Sequence, residues 1–140
     1  MPTRTATTHW EGDLATGSGT VSLASSGVGS YPVSFPKRAA DTADGTTSPE
    51  ELIAAAHSSC FSMALSHGLT TAGNAPTSLD VTADVTLGQD DTGSAVTSIV
   101  LTVTGVVPGI DADAFTAAAE GAKAGCPISK ALAGVADISV

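Results

Sequence analysis

The order of patterns along the 140 residues predicts a mixed α+β fold. Three observations carry that prediction: short β-prone pieces before residue 36, a long alanine-rich segment over residues 50–69, and a strict alternation from Leu79 to Leu87 that leads into a second β-rich run. No linker, internal repeat or low-complexity stretch interrupts them, so the chain reads as a single domain over residues 1–140. A domain of this length buries roughly two-thirds of its unfolded surface. Aromatic residues are few (Trp10, Tyr31, Phe35, Phe61, Phe115), so the core draws mainly on Ala, Val, Leu and Ile, and close approach between elements follows.

Thr3 to Trp10, Gly19 to Ala24 and Tyr31 to Phe35 are β-prone pieces separated by Gly and Ser, which predicts an N-terminal β-meander. Residues 36–47, "PKRAADTADGTT", read as a polar loop. The next element has a marked start: Ser48, Pro49 and Glu51 fit an N-cap, a first-turn proline and the acid of a capping box, so a long central helix begins near residue 49. Leu52, Ala56, Cys60 and Met63 recur at helical spacing and predict a face turned to the interior. Leu79, Val81, Ala83, Val85 and Leu87 alternate with Asp80, Thr82, Asp84 and Thr86, the period of a half-buried strand. The turn "GQDDTGS" then leads into "AVTSIVLTVTGVV", and the two runs make a β-hairpin. Residues 111–124 predict a helix, Cys126 and Pro127 open a further short one, and "VADISV" closes the chain as a strand.

The net charge is −9, from 14 acidic against five basic residues (Arg4, Lys37, Arg38, Lys123, Lys130). There is no cationic stripe for phosphates or anionic headgroups, which argues against nucleic acid and membrane as partners. No run approaches the ~20 apolar residues of a membrane span, and Met1 to Gly12 lacks the apolar stretch of a signal peptide, so a cytoplasmic location is expected. Thiols are kept reduced there, which favours free, reactive or metal-binding roles for Cys60 and Cys126 over a permanent disulfide.

On pattern alone, Cys60 is a small hydrophobe in a helix, and its thiol calls for no chemistry. A metal site is one alternative, because His57 and Cys60 stand at i and i+3 on that helix. Further ligands are missing, since His67 lies about 15 Å from His57 along a straight helix. Structural or surface roles for the histidines are favoured, and no metal or cofactor is expected. Glu50 on its own is an acid suited to a helix N-terminus, and Arg38 a solvated loop charge.

The segments "HWEGD", "SPEELIAAAHSSCFSMAL", "APTSLDVTADVTL", "VPGID" and "AGCPIS" together resemble the osmotically inducible protein C family, over nearly the whole chain. Its relatives include the organic hydroperoxide resistance proteins, and "HSSC" is closer to the osmotically inducible branch. The resemblance implies a peroxiredoxin-like thiol peroxidase that reduces organic hydroperoxides to alcohols, with Cys60 as the peroxide-reacting thiol and Cys126 as the resolving thiol. It implies an arginine and a glutamate at the reactive site, which map onto Arg38 and Glu50. It further implies an intertwined homodimer and a dithiol reductant such as dihydrolipoamide.

These roles make chemical sense. Only the thiolate attacks a peroxide, and a free cysteine is mostly protonated at neutral pH. Cys60 lies mid-helix, away from the N-terminal dipole, so an adjacent Arg38 would favour its anion while Glu50 holds the guanidinium. Attack leaves a sulfenic acid, which Cys126 converts to a disulfide. Local physics runs against this division of labour in one respect: Cys126 precedes Pro127 at a helix start and is the more readily ionised thiol. Glu50 and Cys60 are about 15 Å apart along one straight helix and cannot touch within it. Two such helices packed antiparallel about a two-fold axis would bring Glu50 of one chain toward Cys60 of the other, with alanines 54–56 permitting close packing. Outside the resemblance, the opposing reading is a non-catalytic stress or binding protein with buried structural cysteines, and a metal-dependent hydrolase is more distant.

Overall fold

The computed structural model describes residues 1–140. The chain is a mixed α+β fold that divides into two compact units, Met1–Leu52 and Ile53–Val140.

In the first unit, β1 (Thr7–Glu11), β2 (Ser18–Ser22) and β3 (Ser30–Val33) form an antiparallel meander in the order β1-β2-β3. The first strand starts at Thr7, later than its β-prone residues suggested, because the residues that pair with β2 begin there. "HWEGD" makes the first hairpin. Gly12 adopts a left-handed φ of 89°, the indole N–H of Trp10 donates to its carbonyl at 2.9 Å, and Asp13 accepts from the N–H of Thr16 at 2.8 Å. Residues 36–47 are not wholly loop. Helix α1 (Phe35–Arg38) opens the segment, because Ser34 caps it and Pro36 suits a first helical turn. Phe35 therefore begins a helix where an extended end was expected.

Helix α2 (Pro49–Thr71) begins where the capping residues predicted, with Ser48 Oγ accepting from the N–H of Glu51 at 3.1 Å. The reciprocal half of the capping box is replaced: the Glu51 carboxylate accepts from the Thr47 hydroxyl at 2.6 Å.

In the second unit, β4 (Ser78–Asp90) and β5 (Gly93–Val106) form a long antiparallel hairpin, and β6 (Asp137–Ser139) joins β5 in parallel. The strands extend further into the expected turn, leaving two residues between them. Asp90 organises that turn by accepting from the N–H of Thr92 at 2.7 Å, and Gly93 follows at a φ of 125°. The alternation in β4 is realised: Leu79, Val81, Ala83, Val85 and Leu87 are half-buried and the intervening Asp and Thr residues exposed. Helices α3 (Ala112–Gly125) and α4 (Pro127–Ala131) complete the unit.

The core of this unit gathers Phe61, Leu65 and Leu69 of α2 with Leu101, Ala119, Ala122 and Cys126. The buried stripe of α2 within the unit is therefore His57, Phe61, Leu65 and Leu69, one residue per turn. Cys60 flanks it, half-buried, while Ala56 and Met63 of the expected face are exposed, Met63 at 70%. The misassignment has a physical cause: an alanine-rich helix is apolar nearly all round, so spacing alone does not single out one face. No helix is long and apolar enough to cross a membrane.

Candidate active site

The four residues singled out in the sequence fall into two pairs. In the first unit, Arg38 is the last residue of α1 and Glu50 stands in the first turn of α2. Arg38 Nε donates to Glu50 Oε1 and Oε2 at 3.2 and 3.1 Å, and Nη2 donates to Oε1 at 2.6 Å. This is the forked contact for which arginine is suited. The Glu50 side chain is 10% exposed and that of Arg38 32%. Arg38 is thus no solvated loop charge, because the loop after it returns to the meander: Thr47 N–H donates to the Pro32 carbonyl at 3.0 Å, Val33 and Thr47 form a parallel bridge, and Lys37 pairs with Asp44. Burial alone would push the Glu50 carboxyl up, but hydrogen bonds from Arg38, from its own N–H and from Ser48, with the guanidinium charge, hold it below the usual carboxylate value. The bond to Glu50 in turn raises Arg38. Next to Arg38 a cleft of about 390 Å3 is walled by Trp10, Leu14, Val21, Phe35 and Leu52.

The second pair is Cys60 and Cys126. Both are free thiols, and their sulfurs lie 3.2 Å apart. Cys60 is carried by α2. Cys126 is the C-cap of α3 and the N-cap of α4, with an extended ψ of 123°. The following proline excludes a helical conformation at Cys126, breaks the helix there and starts the next one, which is the structural sense of the Gly-Cys-Pro sequence. Cys126 is fully buried.

The two thiols titrate as a unit. Burial pushes Cys60 up; the Ile128 N–H opposes this and Cys126 adds to it. Burial would raise Cys126 as well, but the Ser129 N–H, the Cys60 thiol, the Ser129 hydroxyl and the Ile128 N–H outweigh it and leave Cys126 below the usual thiol value. The anion of the pair therefore resides more readily on Cys126, as its place at a helix start suggested. The groups that set the ionisation of Cys60 in this chain are Cys126 and Ile128.

One contact beside the thiols escaped the sequence reading. His57 is fully buried, and its Nε2 lies 2.7 Å from Ser129 Oγ across 72 positions. Ser129 is itself buried, three residues after Cys126. The only signal was positional: His57 sits one turn before Cys60, and Ser129 occupies the first turn of the helix that Cys126 caps. Burial lowers the pKa of His57, so its ring is neutral at neutral pH. No group of three or more His, Cys, Asp or Glu side chains assembles into a metal-ligand arrangement.

Residues 42–140 match the family model described as OsmC-like protein. The chain is 51% identical to a protein of Escherichia coli named peroxiredoxin OsmC, over 89% of this chain and 85% of that one. Among solved structures it resembles an organic hydroperoxide resistance protein from Elizabethkingia anophelis, with a TM-score of 0.78, 29% identity, and coverage of 99% of this chain and 96% of that one. The organic hydroperoxide resistance protein OhrB of Bacillus subtilis aligns with a TM-score of 0.74 and 27% identity, over 96% and 95% of the two chains. With most of its length matched by the family model and 51% of its aligned residues shared with a named member, the chain belongs to the OsmC-like protein family.

Proposed function

We propose that this protein reduces organic hydroperoxides to alcohols through a sulfenic acid on Cys60 and a Cys60–Cys126 disulfide. Its character as a cysteine-based peroxidase rests on the family and on the relative named a peroxiredoxin. The observation that carries the mechanism is the 3.2 Å separation of the two sulfurs, which lets them join with little movement.

In the first step the Cys60 thiolate attacks the outer oxygen of the hydroperoxide. An S–O bond forms, the O–O bond breaks, and the alkoxide leaves as alcohol after taking a proton. Within one chain the anion favours Cys126, so Cys60 requires a positive neighbour. Arg38 is the proposed source: Glu50 engages Nε and Nη2, and Nη1 is outside that fork. The antiparallel homodimer would supply this guanidinium from the neighbouring chain, and the apolar cleft beside Arg38 would receive the organic part of the substrate. In the second step Cys126 attacks the sulfenic sulfur, the S–S bond forms, and hydroxide leaves and is protonated to water. A dithiol such as dihydrolipoamide then reduces the disulfide, in a cytosolic setting that keeps thiols reduced.

The test is peroxide consumption by the purified protein with cumene hydroperoxide or hydrogen peroxide and a panel of monothiol and dithiol reductants. Turnover with the organic peroxide and a dithiol, with one disulfide per chain after a stoichiometric dose, supports the proposal. A protein that leaves both peroxides intact overturns it.

A further inference from the structure

The Cys60–Cys126 pair is also a dithiol held in a fixed geometry. Both thiols are free, and their sulfurs stand 3.2 Å apart, inside ordinary van der Waals contact. That spacing discriminates between the soft centres that thiols bind. Two thiolates on a tetrahedral zinc, with Zn–S bonds of about 2.3 Å, stand about 3.8 Å apart, and a linear ion holds them further apart still. Bonds of similar length at a right angle bring the sulfurs to about 3.3 Å. Trivalent arsenic bonds in this way: it is pyramidal, its bonds lie near right angles, and its bonds to sulfur are strong and covalent. The number of donors points in the same direction. No third His, Cys, Asp or Glu side chain joins the two thiols in a metal-ligand arrangement, so the donor set falls short of the three or four that zinc takes. An arsenic that already carries one organic group needs only two sulfurs.

We propose that the Cys60–Cys126 pair is a binding site for monosubstituted trivalent arsenicals, which it chelates through both sulfurs. Entry is at Cys60, which is half-buried, whereas Cys126 is 0% exposed and belongs to the core with Phe61, Leu65, Leu101 and Ala122. In the first step the Cys60 thiol displaces one hydroxyl of R–As(OH)2. An As–S bond forms, an As–O bond breaks, and the hydroxyl leaves as water with the thiol proton. Cys126 then displaces the second hydroxyl in the same manner, closing the chelate and releasing a second water. Arsenic stays trivalent, no electron is transferred and no co-reactant is consumed. The adduct is neutral, so holding it at a buried thiol incurs no desolvation of charge. Closure is favoured because packing has already set the two sulfurs together. One is carried by α2 and the other by the break between α3 and α4, and the shared core fixes both, so the second bond forms intramolecularly at high effective concentration. A disulfide between the same residues removes both donors, so only the reduced protein binds, and a bound arsenical in turn blocks both thiols.

Phenylarsine oxide, which hydrates to the dihydroxide, is the probe, added to the purified reduced protein with no peroxide present. One equivalent is expected to remove both titratable thiols of each chain and to add a single phenylarsenic group to the intact mass. Glutathione, a monothiol, should leave the adduct in place, and dithiothreitol, a competing dithiol, should strip it. Cys60→Ser and Cys126→Ser should each bind about a hundredfold more weakly, through loss of chelation. Arsenite, left with a hydroxyl where a third sulfur is lacking, should bind more weakly than the organoarsenical. Protein first oxidised with diamide to the disulfide should take up no probe. Loss of only one thiol per chain overturns the proposal, as does an adduct that glutathione removes, a single-cysteine variant that binds as tightly as the unmodified protein, an arsenite affinity equal to that of phenylarsine oxide, or uptake by the disulfide form. The mass and thiol counts on the unmodified protein decide the question even where a serine variant fails to fold. Because no peroxide enters these measurements, their outcome is independent of the proposed peroxidase cycle: a protein inert to peroxide can form the chelate, and an active peroxidase can fail to.

Discussion

The Sγ atoms of Cys60 and Cys126 lie 3.2 Å apart although 66 positions separate them in sequence. One sulfur is carried by the long helix α2 and the other by the break between α3 and α4, and the shared core of Phe61, Leu65, Leu101 and Ala122 holds the two elements together. Two thiols so placed exchange a proton readily, and oxidation of either is expected to capture the other.

Division of labour between the thiols is the first expectation. Cys60→Ser abolishes reaction with an organic hydroperoxide, while Cys126→Ser completes one turnover and ends with Cys60 as sulfenic acid or a higher oxide. Intact-protein mass spectrometry after a stoichiometric dose distinguishes them. An inert Cys126→Ser beside a reactive Cys60→Ser would reverse the roles, an outcome the lower pKa of Cys126 makes worth measuring.

Arg38→Ala should act on both stability and chemistry. The forked contact leaves Glu50 nearly buried, so losing its partner strands a carboxylate and costs about 1 to 3 kcal/mol of folding stability, read by urea unfolding. Peroxide attack by Cys60 slows by about ten- to a thousandfold if Arg38 supplies the charge that favours the thiolate. Arg38→Lys restores charge without the planar fork and recovers the rate only in part. Stopped-flow rates equal to those of the unmodified protein would remove Arg38 from the mechanism.

The same pair predicts a pH dependence of stability. The Glu50 carboxyl is held below its unfolded value, so the folded state binds fewer protons there. Its contribution is full above the ordinary carboxylate value and disappears as pH falls through the lower folded value. Thermal unfolding of the protein and of Glu50→Gln should therefore differ most near neutral pH, with the protein the more stable, and converge on acidification. A gap that stays constant down to about pH 3 would contradict this assignment.

Substrate preference should follow the cleft beside Arg38. Its walls of Trp10, Leu14, Phe35 and Leu52 favour cumene-like or lipid hydroperoxides over hydrogen peroxide. Phe35→Ser should lower kcat/KM for cumene hydroperoxide more than for hydrogen peroxide. Equal loss for the two substrates would show that the cleft does not receive the organic group.

Much of the architecture was readable because it is local. Ser48 and Pro49 start α2, strict alternation writes β4, and the proline after Cys126 breaks α3 from α4. Helix α1 was missed because four residues leave no periodicity, and only Ser34 and Pro36 mark it. The buried face of α2 was misread because alanines fit either side of a helix, so the position of the core had to be decided by what packs against it. The resemblance assigned Cys60, Cys126, Arg38 and Glu50 together, whereas spacing alone left each of them with an ordinary structural explanation.

What the sequence by itself determined is the succession of elements apart from α1, the acidic surface and the chemical inventory: two thiols, one arginine near the long helix and one glutamate at its start. Only the tertiary structure decided which of these meet. The fork between Arg38 and Glu50, the contact of the two sulfurs and the buried bond from His57 to Ser129 join residues 12, 66 and 72 positions apart. Periodicity and capping act over a turn or two of chain, whereas these contacts depend on how whole helices pack against strands and against one another, and burial, which sets their strength, exists only once that packing is complete.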